Sequence, residues 1–292
     1  MKLFSKLKYK LFSVLKLIRL YFLKFLKLFF QIPYSSRFYL LIINDLVNKW
    51  RIGKDVKAKT LISDNFFLNL RLDDWLQQQI YFLGGYENFE LEVLRNKISL
   101  GSNIIDIGAN VGLYSLFAAS IIGIEGKVFA FEPYSSNFNI LTENVKINNF
   151  KNLILNKIAL ANKDHEVELF YNPKEFNLGM VSAYEKNYEE SETVNCTTLD
   201  NYLKNLNLDN LHYIKLDIEG GEYLALLGMI ETIKKYKPFI QLEIDEIILK
   251  QTAYTKNDIF FFFEMNNYQL VNSEINHTKR SKFSKNYFFK AN

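Results

Sequence analysis

Acidic residues are missing from the first thirty positions, where Lys2, Lys6, Lys8, Lys10, Lys16, Arg19, Lys24 and Lys27 stand without one Asp or Glu. The same stretch lacks an uncharged run of the ~18 residues that a membrane-spanning helix needs. Its lysines also interrupt any signal-peptide core, and no small-residue cleavage site follows. Cysteine is nearly absent. The single Cys196 excludes an intrachain disulfide and suits a reducing compartment; it reads as a small core residue rather than a catalytic thiol. Glycine (12) and proline (4) are few among 292 residues, whereas Phe (26) and Tyr (18) are many. That balance excludes a disordered chain and describes a packed body of one ordinary domain plus an appendage.

The net charge of +4 divides unevenly. Taking the eight basic residues of positions 1–30 from 36 leaves 28 against 32 acidic, a balance of −4 for the rest. A mildly acidic body argues against a nucleic-acid enzyme, whose basic patch would sit on the body itself.

At ~100° per residue, Leu3, Phe4, Leu7, Leu11, Val14, Leu15, Ile18, Tyr21, Phe22, Phe25 and Phe29 share one helical stripe roughly 120° wide, with every basic residue outside it. Leu17, Leu20, Leu23 and Phe30 also fall outside. A basic amphipathic helix with Phe and Leu on its apolar face is the pattern of a segment lying in a membrane interface, each Lys adding about 1 kcal/mol near anionic lipid. The alternative is a helix packed on the protein body or on a second copy. Residues from Gln31 to about Lys57 read as a connector with a short helix near Phe38–Trp50.

From Asn103 the chain alternates short apolar runs with longer periodic segments. Strands are expected at Asn103–Ile107, Lys127–Phe131, Leu153–Ala159, Leu211–Ile218 and Phe239–Ile244. Helices are expected at Val111–Ile122, Ser136–Asn148, Leu199–Leu206, Gly221–Tyr236 and Asn257–Met265. Extra strands fall within Glu166–Thr197, and Tyr268–Val271 and Asn286–Lys290 close the chain. The alternation implies an α/β fold, a mostly parallel sheet covered by helices on both faces. Ligands of such sheets bind beyond the carboxyl ends of the strands.

One such end is Asp106-Ile107-Gly108-Ala109-Asn110-Val111-Gly112. Gly108 permits a tight turn near a ligand, Asn110 is a good N-cap, and Gly112 would let the helix pack closely on the strand. The spacing is not G-x-G-x-x-G, because Asn110 replaces the glycine that lets a pyrophosphate approach; this disfavours a nucleotide- or NAD-dependent protein. Asp106 would repel phosphate but suit the ammonium of a methionine moiety. Glu132, followed by Pro133 at the next strand end, is placed to accept both hydroxyls of a ribose. These residues together point to S-adenosylmethionine.

A second cluster, Tyr213-Ile214-Lys215-Leu216-Asp217-Ile218-Glu219-Gly220-Gly221-Glu222, puts Lys215, Asp217 and Glu219 at alternate positions. Charges at such a strand end are costly unless they line a cleft or pair, so this reads as the acceptor side. Glu243 would join the same rim. A bland reading is a salt bridge of Lys215 with Glu219 or Glu243. No metal is expected, since neither His nor Asn stands among these carboxylates. His165, His212 and His277 are alternative bases but lie at no expected strand end.

Over roughly Thr60 to Val271 the chain resembles the FkbM-type methyltransferases. The resemblance rests on Gly84-Gly85-Tyr86-Glu87, the Asp106–Gly112 loop, Phe129-Ala130-Phe131-Glu132-Pro133, Thr198-Leu199-Asp200, and above all Lys215-x-Asp217-x-Glu219-Gly220-x-Glu222. It implies a Rossmann-like, seven-stranded class I methyltransferase sheet and O-methylation of a hydroxyl, commonly on a sugar or polyketide-type product. The basic N-terminus and the Phe-rich Ile259-Phe260-Phe261-Phe262-Phe263 depart from that pattern.

The expected organisation is a basic helix and connector over 1–57 and a methyltransferase domain over 58–292, its core at about 84–271. Cofactor contacts are expected from Asp106, Gly108, Ala109, Asn110, Gly112, Glu132 and Pro133. Asp217 is expected as base or acceptor-orienting group, with Glu219 and Lys215 shaping the pocket. The expected acceptor is a sugar hydroxyl in a membrane-proximal glycan or lipid-linked saccharide, with a soluble natural product as alternative. A non-catalytic tethered protein is the remaining rival. The expected location is cytoplasmic, peripheral on the inner face of the membrane through residues 1–30.

Overall fold

The computed structural model describes residues 2–63, 65–172, 181–184, 190–271 and 284–292; for 2–12, 44–46 and 284 it describes the backbone alone. The chain forms two compact units, residues 1–86 and 87–292.

In the first unit, helix α1 (Lys2–Phe30) leads through a 3-10 turn (Ser35–Phe38), helix α2 (Tyr39–Ile42) and a π-helical stretch (Ile43–Asn48). Strands β1 (Lys57–Ile62) and β2 (Phe66–Arg71) form an antiparallel hairpin, followed by helix α3 (Trp75–Leu83). Asp74 caps α3, accepting from the Gln77 N–H at 2.9 Å. The side of α1 that packs inward carries Leu23, Leu26 and Phe30, all buried. Phe30 meets the rings of Tyr39 at 5.4 Å and Phe82 at 5.8 Å. Val14, Leu15, Ile18, Tyr21 and Phe25, all on the expected apolar stripe, are instead exposed. Helix α1 therefore has two apolar sides. The off-stripe residues Leu23 and Phe30 serve the protein's own core, because α2 and α3 supply a surface that fits them.

The second unit contains helix α4 (Asn88–Lys97), strand β3 (Asn103–Ile107), helix α5 (Leu113–Ile122), strand β4 (Lys127–Phe131), helix α6 (Ser135–Asn148) and strand β5 (Leu153–Asn156). Strands β6 (Ala159–Leu160), β7 (His165–Tyr171) and β8 (Glu190–Thr197) make a separate three-stranded sheet. Then come helix α7 (Leu199–Leu203), strand β9 (Tyr213–Leu216), helices α8 (Glu222–Leu227) and α9 (Ile230–Tyr236) and strand β10 (Phe239–Asp245). Helices α10 (Glu246–Leu249) and α11 (Lys256–Met265) and strands β11 (Tyr268–Leu270) and β12 (Ser284–Ala291) complete the chain. The main sheet has seven strands in the order β11-β12-β10-β9-β3-β4-β5. Strands β10, β9, β3, β4 and β5 run parallel, whereas β12 is antiparallel to both β10 and β11.

Strand alternation divides the sheet's side chains between two faces. Ile105, Ile107, Ile214, Leu216, Ile240 and Leu242 join one large core with Leu199, Leu226, Ile233 and Phe263 of the helices. The intervening Asp106, Lys215 and Gln241 lie in register, one beside the next across β3, β9 and β10. A buried polar row thus crosses an otherwise apolar sheet.

The single helix expected over Gly221–Tyr236 is two. The ladder breaks because Gly228 is wedged against another segment; a Cβ there would lie 1.9 Å from the Ala161 carbonyl oxygen. Asp200 reaches across to start the second helix, accepting from the N–H groups of Glu231 at 3.1 Å and Thr232 at 2.8 Å. Thr198 caps α7 through the Asn201 N–H at 2.9 Å and Leu199 is fully buried, so the Thr198-Leu199-Asp200 stretch is structural.

Candidate active site

The strand order reverses between β3 and β9, the position in an open α/β sheet where a crevice forms beyond the carboxyl ends. The loops that leave these two strands are locked together. The Asp217 N–H donates to the Ile107 carbonyl at 3.1 Å, and the Gly108 and Ala109 N–H groups both donate to the Phe131 carbonyl at 2.9 Å. Gly108 has φ 81°, and a Cβ there would lie 1.8 Å from the Asp217 carbonyl oxygen. Only glycine meets both the left-handed backbone and the close approach. The two sequence clusters therefore meet at one site.

Asn110 is not the N-cap expected for α5. It takes a left-handed φ of 51°, and its N–H donates to Glu132 Oε2 at 2.8 Å, while Gly112 (φ 94°) holds the cap position. A Cβ on Gly112 would lie 2.5 Å from Leu141 of α6, so this glycine admits the neighbouring helix rather than the strand. Glu132 Oε1 accepts from the Tyr134 N–H at 3.0 Å. The Asn137 side chain hydrogen-bonds to the same carboxylate. Burial pushes the Glu132 carboxyl up to about 7, opposed by those two N–H groups. Ala109 is buried beside it, and Pro133, half-buried, follows.

Asp106 is 2% exposed. Its Oδ2 accepts from the Ser115 hydroxyl at 2.5 Å, while Oδ1, also buried, has no hydrogen-bond partner among the described residues. Burial raises this carboxyl and Lys215 counters the rise. Lys215 is buried too, donates to Asp217 Oδ2 at 3.0 Å, and lies 4.7 Å from the centre of the Tyr114 ring. Burial alone would lower its ammonium. Asp217, Asp106 and Glu87 more than offset that and hold it above the usual lysine range. Lys215 thus has Asp217 as its ion-pair partner, one that the alternative salt-bridge reading, with Glu219 or Glu243, did not name.

Strand β9 ends at Leu216, so the alternation that would align Glu219 with Lys215 and Asp217 stops there. Glu219 sits in the turn with φ 54°, and its carbonyl accepts from the Ser182 hydroxyl at 2.9 Å. Glu222 folds back on the same turn and accepts from the Ile218 and Gly220 N–H groups, both at 3.0 Å. Burial pushes it up to about 7. Glu243 lies within β10, which continues to Asp245.

Tyr114, Glu87, Gln241 and Asn286 escape sequence reasoning. The Tyr114 hydroxyl donates to Glu87 Oε2 at 2.8 Å and accepts from Gln241 Nε2 at 3.1 Å. Asn286 donates to Glu87 Oε1 at 2.8 Å, and the Tyr213 hydroxyl donates to Gln241 Oε1 at 2.7 Å. The signal for Glu87 was its place in the Gly84–Glu87 stretch; the others read as ordinary core or strand residues. Among the histidines, His212 Nδ1 accepts from the Asn103 N–H at 3.2 Å, at the amino end of β3. His165 opens β7, and His277 lies outside the described residues. Among the described residues, no group of three His, Cys, Asp or Glu side chains is placed to hold a metal ion.

The donor set fits a cationic ligand. One ammonium, Lys215, faces the carboxylates Asp106, Asp217 and Glu87 in a buried setting where charge interactions are strong. The buried Oδ1 of Asp106 is an acceptor without a donor among the described residues.

The profile of the methyltransferase FkbM domain matches residues 106–270, more than half of the chain. The chain belongs to the FkbM methyltransferase family. It is a methyltransferase built on a seven-stranded, mostly parallel α/β sheet. Among solved structures it is similar to an FkbM methyltransferase from Methylobacillus flagellatus KT, with 18% identity and a TM-score of 0.43 over 74% of this chain and 55% of that one. The chain thus spans about half the length of that relative. A SAM-dependent methyltransferase from Aquifex aeolicus is 13% identical, with a TM-score of 0.42 over 73% of this chain and 97% of that one. Fibrillarin from Aeropyrum pernix, solved with natively bound S-adenosyl-L-methionine, is 9% identical, with a TM-score of 0.42 over 70% of this chain and 74% of that one. A search of the curated proteins found no match.

Proposed function

We propose that the enzyme O-methylates a hydroxyl of a sugar in a membrane-proximal glycan or lipid-linked saccharide, at the crevice between β3 and β9. The observation that carries this reading is the Lys215–Asp217 ion pair, 3.0 Å long, beside Asp106 at the strand ends. Asp106 would hold the ammonium of the donor, Glu132 its ribose hydroxyls, and Gly108, Ala109, Asn110, Gly112 and Pro133 the turn around it. The donor supplies a methyl group on a positively charged sulfur, electrophilic without further activation. What the protein must add is alignment of the acceptor oxygen, which accounts for up to roughly 7–11 kcal/mol of barrier lowering.

Asp217 is the group that orients the acceptor hydroxyl or takes its proton. It is half-buried at the end of β9, with Lys215 holding one of its oxygens. Lys215, fixed by Tyr114 and Asp106, keeps Asp217 in place, and Glu219 borders the acceptor pocket. Replacing Asp217 by Asn should lower turnover by about 10²–10⁴-fold while donor affinity stays within a few-fold. Calorimetric titration of S-adenosylmethionine and release of S-adenosylhomocysteine in cell extract measure the two separately. Unchanged turnover removes Asp217 from the chemistry, and no release from the unaltered enzyme favours a protein that keeps the fold without the activity.

The membrane-proximal acceptor is supported by the basic charge of α1 and by the exposure of Val14, Ile18, Tyr21 and Phe25 along it. These features suit peripheral attachment to the inner face of a membrane. Mass spectrometry of surface glycans from a deletion strain tests the acceptor, expecting the loss of one methylene mass per site. Intact glycans turn the assignment to a soluble natural product.

A further inference from the structure

Exposed apolar side chains do not stop at the end of α1. Ile32, Tyr34, Phe38, Leu40, Leu41 and Trp50 are all exposed, Tyr34 at 81% and Trp50 at 72%. They are not the side chains of a loose linker, because Tyr39, Ile43 and Val47, between and among them, are buried. The segment that reads as a connector is a folded piece with an inner apolar side and an outer one. An outer apolar side of this size marks an interaction surface.

Charge identifies what covers it. Residues 1–57 carry thirteen Lys or Arg against two Asp and no Glu. A second copy would bring two strongly positive surfaces together, and juxtaposed like charges repel. A nucleic acid would meet the charge but not the exposed Leu, Ile and Val. A bilayer with anionic lipid answers both, and Trp and Tyr are the side chains that settle at its headgroup level.

We propose that residues 32–50 form a second membrane-contacting element beside α1, with Trp50 seated in the headgroup region of an anionic bilayer. This rests on the reading of α1 as a membrane-surface helix. Attachment then uses a broad folded surface rather than one detachable helix, so removal of residues 1–30 leaves part of the affinity in place.

The chain holds two tryptophans, Trp50 and Trp75. In the full-length Trp75→Phe variant, Trp50 becomes the sole reporter; its fold is checked by circular dichroism, since the Trp75 ring packs on Tyr86. With phosphatidylcholine vesicles containing phosphatidylglycerol, Trp50 emission should shift to the blue and be quenched by brominated acyl chains. Vesicles of phosphatidylcholine alone should produce neither effect. Replacing the exposed Leu40 and Leu41 by Asp should weaken vesicle partition on the order of tenfold or more without lowering Tm. Flotation with anionic vesicles but no Trp50 response overturns this inference and leaves α1 as the anchor. No flotation at all overturns both. A blue shift that grows with protein concentration in the absence of lipid, together with a dimer mass, assigns the surface to a second copy and overturns it as well.

Discussion

Tyr114 does two jobs with two parts of one side chain. Its ring face lies under the Lys215 ammonium, and its hydroxyl closes a buried network through Glu87 and Gln241. Replacement by Phe keeps the first and removes the second. A Glu87 oxygen and a Gln241 N–H then lose a partner in a buried setting, at a cost of about 1–3 kcal/mol. Urea denaturation should record that loss, while donor affinity measured by calorimetry changes little. A Phe variant as stable as the parent would show that water replaces the hydroxyl. Of this network only Glu87 stood in a stretch the sequence singled out; Tyr114, Gln241 and Asn286 come from separate elements and each alone reads as core or strand. Asp106, Gly108, Glu132 and Asp217 were legible, since each stands at a strand end set by local pattern. The left-handed φ of Asn110 was not, because the carboxylate that takes its N–H lies twenty-two residues on.

Elements followed their periodicity except where a distant contact overruled it. The run from Gly221 to Tyr236 has helical spacing throughout, yet it divides at Gly228 under the pressure of Ala161. Asp200, in the first turn of α7, then caps α9 with three acceptor contacts, to the N–H groups of Glu231 and Thr232 and to the Thr232 hydroxyl. Replacing Asp200 by Ala should therefore behave as the loss of a strong helix cap, about 1–2 kcal/mol in urea denaturation. A neutral outcome would mean that α9 is held by packing alone. Helix α1 follows the same logic on a larger scale. Its stripe was readable, but a periodic pattern does not say which of two apolar sides will meet the body.

At the scale of the whole molecule, stability should depend on pH through two buried glutamates. Glu132 and Glu222 rise from 4.5 to about 7 because burial penalises the carboxylate. Between those values the folded protein holds protons that the unfolded chain has released, so unfolding free energy falls as pH rises. Their contribution is full below about 4.5 and lost by the time pH passes 7. Each is worth on the order of 3 kcal/mol. Urea titrations across about pH 5 to 8 should show the decline, and Glu132→Gln and Glu222→Gln should each flatten it. A profile that rises over that range in the parent, or is untouched by either substitution, would mean that both carboxylates stay ionised.

By itself the sequence determined the α/β alternation, the glycine turn with its flanking carboxylates and the charge asymmetry of the first thirty residues, because each depends on neighbours close along the chain. Only the tertiary structure decided that Asp106, Lys215 and Gln241 form one polar row, since strand register is a property of the sheet and not of any strand. It also decided that Lys215 pairs with Asp217, because β9 ends at Leu216, three residues before Glu219. And it decided which side of α1 is spent on the protein's own core, leaving the other side, with residues 32–50, free for a surface that the charge pattern alone had only outlined.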